Sequence, residues 1–275
     1  MMYYSNNLRG SITLFEIMEK HGVKNLVFSS SCTVYGNEGE SPVNESNALK
    51  PTNPYGRTKF YIENALQDIC KADSEWTVTA LRYFNPIGAH ESGEIGEDPT
   101  GVPNNLLPFI TQVASGKREI LSIFGGDYNT HDGTCIRDYI HVNDIAKGHI
   151  AALESITTEG FEAINLGTGI GYSVLDVVKT FEKVSGIKIP YNIVGRRPGD
   201  AEAVWADPTM AYKKLYWKAE HDLEKMCADA WFWQLKNPEG FRSQIFHHSS
   251  SDKKVSSSTD VQSSPNSSPK AKISA

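Results

Sequence analysis

The chain has 275 residues, 39% of them hydrophobic and 22% charged, and a formal net charge of -6. That is enough chain and apolar content for one large soluble α/β domain, or a domain with a smaller lobe. The acidic balance argues against a nucleic-acid or membrane-surface binder, no apolar run nears the ~20 residues of a membrane span, and the opening MMYYSNNLRG has no apolar leader core.

Asn6 to His21 repeats Leu8, Ile12, Phe15 and Met18 at helical period and closes on Gly22, which predicts a helix. Leu26 to Ser31 is a short apolar run, read as a buried strand. A polar stretch with Gly36, Gly39, Pro42, Pro51 and Pro54 reads as loop, Tyr55 to Lys71 as helix, and Thr77 to Phe84 as a second buried strand. Strand, loop, helix, strand is the rhythm of a doubly wound parallel sheet, so a Rossmann-like α/β fold is expected. A Gly- and Pro-rich loop (Pro86 to Pro103) then leads to a helix near Asn104 to Ser115 and a strand at Ile120 to Phe124. Gly125 to Thr134 has the composition of an exposed hairpin or loop. Asn143 to Glu154 reads as helix, Ala163 to Leu166 as a strand of a second lobe, and Ser173 to Ser185 as helix.

Three regions follow: residues 1–100 as part of a dinucleotide-binding domain, 101–241 as the rest of the sheet plus a smaller substrate lobe, and 242–275 as a tail. That tail is Ser-, Lys- and Pro-rich with almost no apolar content, the composition of a disordered segment. Cys32, Cys70, Cys135 and Cys227 are scattered without zinc spacing and read as free thiols of a reducing, cytoplasmic compartment. His247 and His248 are a poor metal pair, and no metal is expected.

A dinucleotide fold normally opens with a strand, a Gly-rich turn and a helix that holds the pyrophosphate, and nothing before Asn6 supplies one. Gly167, Gly169 and Gly171 sit between a strand and a helix, as that fingerprint requires, but late in the chain; a tight turn with Ser173 as helix cap explains them better. Chemistry gathers instead at Ser31, Tyr55 and Lys59. Tyr55 and Lys59 share a helix face at i,i+4, just after Pro54, and stand about 25 residues beyond Ser31, roughly one βα unit. Tyrosine is a poor base at its usual pKa of about 10, and a nearby ammonium favours its phenolate. A strand's C-terminal end is where open α/β sheets place ligand groups, so the trio reads as a hydride-transfer site for a nicotinamide cofactor.

Six strings, SSSCTVYG (Ser29 to Gly36), NPYGRTK (Asn53 to Lys59), LRYFNPIGAH (Leu81 to His90), GVPNNLLP (Gly101 to Pro108), IRDYIHVNDIAKGH (Ile136 to His149) and NLGTGIGYSV (Asn165 to Val174), resemble the UDP-galactose 4-epimerase family of extended short-chain dehydrogenases. The resemblance runs from Tyr3 to about Phe241. The family's first roughly 90 residues, about three βα units with the Gly-rich turn, have no counterpart, so the sequence is expected to be a C-terminal two-thirds.

The resemblance implies NAD as cofactor and reversible C4 epimerisation of UDP-galactose and UDP-glucose through a 4-keto sugar, in galactose metabolism. It implies Tyr55 as the base on the sugar 4-hydroxyl, Lys59 as holder of the nicotinamide ribose that also depresses the Tyr55 pKa, and Ser31 as partner of the 4-oxygen with Thr33 beside it. Asn6 and Phe84 match cofactor contacts. Asn85, Asn105, Leu106, Ser122 and Phe124 match UDP-sugar contacts, while Arg137, Arg197 and Asp200 match a clamp on diphosphate and uridine ribose, chemistry that suits arginine forks and a carboxylate. Cys32 replaces an expected small residue, and the small Val204 leaves room for N-acetylated UDP-hexoses. Homodimerisation is implied by analogy alone. A dehydratase would need an added acid and base where Cys32, Thr33 and Val34 stand, which offer none. The alternative of another class is an inactive fragment that at most binds UDP-sugar.

Overall fold

The computed structural model describes residues 1–37, 41–155 and 160–241, so His247, His248 and the Ser-rich tail lie outside the described residues. A wide helical turn over Tyr4–Arg9 enters α1 (Gly10–Lys20), followed by β1 (Asn25–Ser29), one tight 3-10 turn (Cys32–Val34), α2 (Pro54–Ala72), β2 (Thr77–Tyr83) and β3 (Asn85–Ile87). Next come α3 (Leu106–Ala114), β4 (Leu121–Phe124), β5 (Ile136–Arg137), β6 (Tyr139–His141) and α4 (Val142–Glu154). The remaining elements are β7 (Gly160–Leu166), β8 (Tyr172–Ser173), α5 (Val174–Ser185), β9 (Tyr191–Val194), β10 (Ala203–Val204), α6 (Thr209–Leu215) and α7 (Leu223–Lys236).

Three parallel strands in the order β1-β2-β7 form the main sheet, with Asn25 opposite Thr77 and Thr77 opposite Gly160. β2 is buried along most of its length because helices cover both faces of the sheet, as parallel sheets require. On one side Val78 and Trp76 pack with Phe15 and Met18 of α1 and with Ile62, Leu66 and Cys70 of α2. On the other, Leu81, Ile164 and Leu166 pack with Ala152 of α4, Ala211 and Leu215 of α6, and Trp217. Each aliphatic side chain buried this way contributes about 1.5–3 kcal/mol relative to exposure. The expected Rossmann-like architecture is therefore present as a three-layer α/β/α arrangement.

The strand before Gly167, expected in a second lobe, is instead the third strand of this sheet. Its short, partly polar sequence says nothing about its neighbour, and the pairing with β2 is settled by packing against α4 and α6. A separate apolar cluster joins α3, β4, α5 and α7 through Leu107, Ile110, Ile123, Val177, Phe181 and Met226. Around it run the small pairs β3-β6 and β4-β9 and the sheet β10-β5-β8. Gly125 to Thr134 is a loop rather than a hairpin, and it buries Tyr128 and Thr134. Ser173 caps α5 in a reciprocal capping box with Asp176, as its place after the Gly-rich turn predicts.

Candidate active site and nucleotide cleft

The end of β1 and the start of α2 meet because of two residues. Asn53 caps α2, its Oδ1 accepting from the Gly56 N–H at 2.8 Å, with Pro54 in the first turn. Gly56 then lets the helix approach the 3-10 turn, since a Cβ there would stand 2.7 Å from the Thr33 carbonyl oxygen. This contact brings Tyr55 close to Ser31, whose hydroxyl favours the Tyr55 phenolate. Ser31 Oγ also accepts from the Thr33 hydroxyl at 2.9 Å and from its N–H at 3.2 Å.

Burial pushes the Tyr55 phenol up to about 12, reinforced by the neighbouring Tyr83 phenol and opposed by Ser31. The ammonium of Lys59 donates to the Ser29 carbonyl at 2.8 Å and stands 5.7 Å from the Tyr55 ring centre. Burial outweighs the lowering influence of Ser31 on Tyr55, and burial likewise pulls the Lys59 ammonium below its usual value. One bond to Ser29 leaves Lys59 with further N–H donors, which fits a ribose diol.

Thr33 links the trio to a cleft of about 230 Å³ lined by Cys32, Thr33, Asn37, Asn53, Asn85, Arg137, Arg197, Asp200 and Val204, among others. Asp200 gathers the arginines: Arg197 forks onto it through Nε at 3.0 Å and Nη2 at 2.9 Å, and Arg137 Nη2 stands 3.7 Å away. Two guanidiniums against one carboxylate leave this wall cationic, which suits a diphosphate. Arg197 also lies over the exposed Phe124 ring, 5.6 Å from its centre.

Other expected residues sit elsewhere. Asn105 Nδ2 donates to Glu97 Oε1 at 2.8 Å, Leu106 packs on the apolar cluster of α3, and the half-buried Ser122 pairs with Asn192 across β4 and β9. Asn6 is exposed and bonds only to Asn7 in the described contacts, whereas Asn7 docks on Thr58 of α2 at 3.0 Å. Phe84 is buried among Val34, Tyr35, Val43 and Ala206. Cys32 and Val204 both face the cleft, and burial pushes the Cys32 thiol up to about 12.

Two buried groups escaped the sequence reading. Asp138 has no exposed surface, and its carboxylate accepts from the Thr168 N–H and hydroxyl (2.9 and 2.6 Å), the Gly169 N–H (3.0 Å) and the Ala206 N–H (3.1 Å). Its main chain meanwhile accepts from the Asn85 N–H and donates to the Val204 carbonyl, so one residue ties together three walls of the cleft. The Gly-rich turn therefore spends its amide donors on Asp138 rather than on a phosphate, and Gly167 is required because a Cβ would meet Asp138 Oδ2 at 2.6 Å. The second group is the Glu63–Arg82 pair below the trio. A charged residue inside the apolar run LRYF was the available signal for it. His131, Asp132 and Asp176 come within 4.8 Å of one another, but their carboxylates already serve Thr134, Ser173 and the α5 cap.

A parallel α/β sheet with a Ser-Tyr-Lys trio at its strand ends and a cationic cleft beside it defines a nicotinamide-dependent enzyme acting on a nucleotide-linked substrate. Residues 2–167 match the family model "NAD dependent epimerase/dehydratase family", and the chain belongs to that family. It is 57% identical to the UDP-glucose 4-epimerases of Bos taurus and Bacillus subtilis, covering 88% of this chain and 70% and 72% of those proteins. Among solved structures, the UDP-glucose 4-epimerase of Bifidobacterium longum in complex with NAD+ and UDP superposes with a TM-score of 0.85 at 51% identity, covering 87% of this chain and 72% of that one. The enzyme of Stenotrophomonas maltophila with bound NAD and formylated UDP-arabinopyranose superposes with a TM-score of 0.84 at 47% identity, over 86% and 71% of the two chains. No helix among the described residues is long and apolar enough to cross a membrane.

Proposed function

We propose that the chain is a UDP-glucose 4-epimerase that interconverts UDP-galactose and UDP-glucose. The observation that carries this is the continuity from the cationic cleft, through Thr33 and Ser31, to Tyr55 and Lys59. NAD, when bound, supplies a hydride acceptor and later donor for sugar C4, and a positive charge that Tyr55 otherwise lacks.

Tyr55 takes the proton of the sugar 4-hydroxyl. Ser31, beside the phenol, holds the 4-oxygen and shares that proton, while Lys59 holds the nicotinamide ribose. Because the free phenol titrates only at about 12, an added cation is needed to bring it into range. Inversion requires the keto sugar to turn over while the nucleotide stays in place, and Arg137, Arg197 and Asp200 supply that hold on the diphosphate and uridine ribose. Asn85, which lines the cleft, and Phe124, under Arg197, complete the UDP-sugar contacts. In this reading residues 1–100 carry proton transfer and 101–241 the nucleotide side. Val204 leaves the sugar pocket wide enough for N-acetylated UDP-hexoses, and two copies associate as a homodimer.

Incubating the purified chain with UDP-galactose and NAD is expected to yield UDP-glucose at an equilibrium ratio, with UDP-N-acetylgalactosamine also converted. UDP binding by calorimetry without any conversion would overturn the epimerase reading in favour of a binding-only protein. Conversion of UDP-galactose alone would remove the N-acetyl assignment.

A further inference from the structure

Beneath the trio runs a buried polar chain that proton transfer does not use. Tyr55, Lys59 and Glu63 stand at successive turns of α2 and form one stripe. Each turn reaches one of three consecutive residues at the end of β1. Tyr55 meets Ser31, Lys59 donates to the Ser29 carbonyl, and Glu63 Oε1 accepts from Ser30 Oγ. Glu63 also receives a fork from Arg82 of β2, Nε to Oε1 at 3.0 Å and Nη2 to Oε2 at 2.6 Å. Arg82 Nη1 donates onward to Tyr35 Oη at 3.1 Å, and Tyr35 donates to Asn165 Oδ1 of β7 at 2.6 Å. Ser30, Glu63 and Asn165 have no exposed surface, and Arg82 is 3% exposed.

Burying such an ion pair costs several kcal/mol of desolvation per ion, and apolar residues of the same volume often stabilise a core as well or better. Stability alone therefore does not account for it. Satisfied, directional bonds supply what apolar packing lacks, a single fixed placement of the elements they join. We infer that Glu63 is a positioning residue of the proposed epimerase: it locks α2 against the end of β1 and so sets the separation of Tyr55 from Ser31. The inference rests on the reading of Tyr55 as the base, since a misplacement of about 1 Å at reacting groups costs on the order of 10²-fold in rate.

Two variants test it. Ser30→Ala removes only the tie from β1 and leaves the Arg82 fork whole, whereas Glu63→Gln keeps the shape and removes the charge. For both, kcat is expected to fall about 10- to 100-fold with KM and the UDP Kd nearly unchanged, because the arginine clamp is not part of this chain of bonds. The pH at which kcat rises should also move upward as Ser31 moves away from the phenolate it favours. A merely structural role would lower Tm and the active fraction but leave that pH midpoint in place.

A fluorotyrosine at position 55, followed by ¹⁹F NMR in the NAD-loaded chain, reads the same ionisation without turnover. If the chain binds UDP yet never epimerises, the functional reading fails and the ¹⁹F titration still decides. If Glu63→Gln does not fold, Ser30→Ala decides. An ionisation midpoint unchanged in Ser30→Ala would overturn the inference.

Discussion

At Tyr55 two demands conflict. The phenol must be shielded to exchange a proton with one substrate group rather than with water, yet the same burial pushes it up to about 12. Only a neighbouring positive charge reconciles them, and the Lys59 ammonium, bonded to the Ser29 carbonyl, stands 5.7 Å from the Tyr55 ring centre. Replacing the base should therefore remove chemistry and spare binding. Tyr55→Phe is expected to lower the rate of UDP-galactose conversion by about 10²- to 10⁴-fold, the usual range for a lost acid–base group, with the UDP Kd by calorimetry unchanged. Arg197→Lys should do the reverse, because an ammonium cannot reproduce a fork. Its UDP Kd should weaken by about tenfold, close to 1.4 kcal/mol, with little change in kcat. Equal losses in both constants for both variants would contradict the division between proton transfer and nucleotide clamp.

Among elements, α2 does the most. Its span from Tyr55 to Lys71, just after Pro54, was readable because helical period is a local property, whereas the Asn53 cap was not singled out. Its docking was not. Gly56 looks like a poor choice in a first turn until the Thr33 carbonyl is placed 2.7 Å from where a Cβ would stand. Gly56→Ala should push the helix off the 3-10 turn, costing about 1–3 kcal/mol in urea unfolding, the usual penalty of overpacking. Turnover should fall more than that loss of folded protein explains, since Tyr55 moves with the helix. Full activity in a destabilised Gly56→Ala protein would show that the close approach serves stability alone.

For the whole molecule, one buried histidine sets part of the response to acid. His141 has no exposed surface; it accepts from the Asn143 N–H at 3.0 Å and faces Asp229 at 3.1 Å. Burial lowers its pKa, outweighing the Asp229 bond, so folding disfavours its protonation. The unfolded chain, with histidine near 6.5, takes up the proton first. Stability is thus full above about 6.5 and is lost as pH falls below it. Urea midpoints measured at pH 7.5 and 5.5 should drop on the acid side, and His141→Gln should flatten that drop. An equal drop in the variant would assign the effect to other groups.

The sequence by itself determined the α/β class, most helices and buried strands, and the helix face shared by Tyr55 and Lys59, because period and motif spacing are written in adjacent residues; the arginines entered only through the family resemblance. The two-residue strands β5, β8 and β10 were not legible, since partners far along the chain create them, and α6 and α7 went unread although Asp222 caps α7. Tertiary structure alone placed β7 beside β2, turned Lys59 toward Ser29, and spent the glycine-rich turn on Asp138. It alone buried Glu63 against Arg82 and Ser30. These outcomes depend on which polar groups are left unsatisfied once the layers close, and that is a property of the packed molecule rather than of any segment.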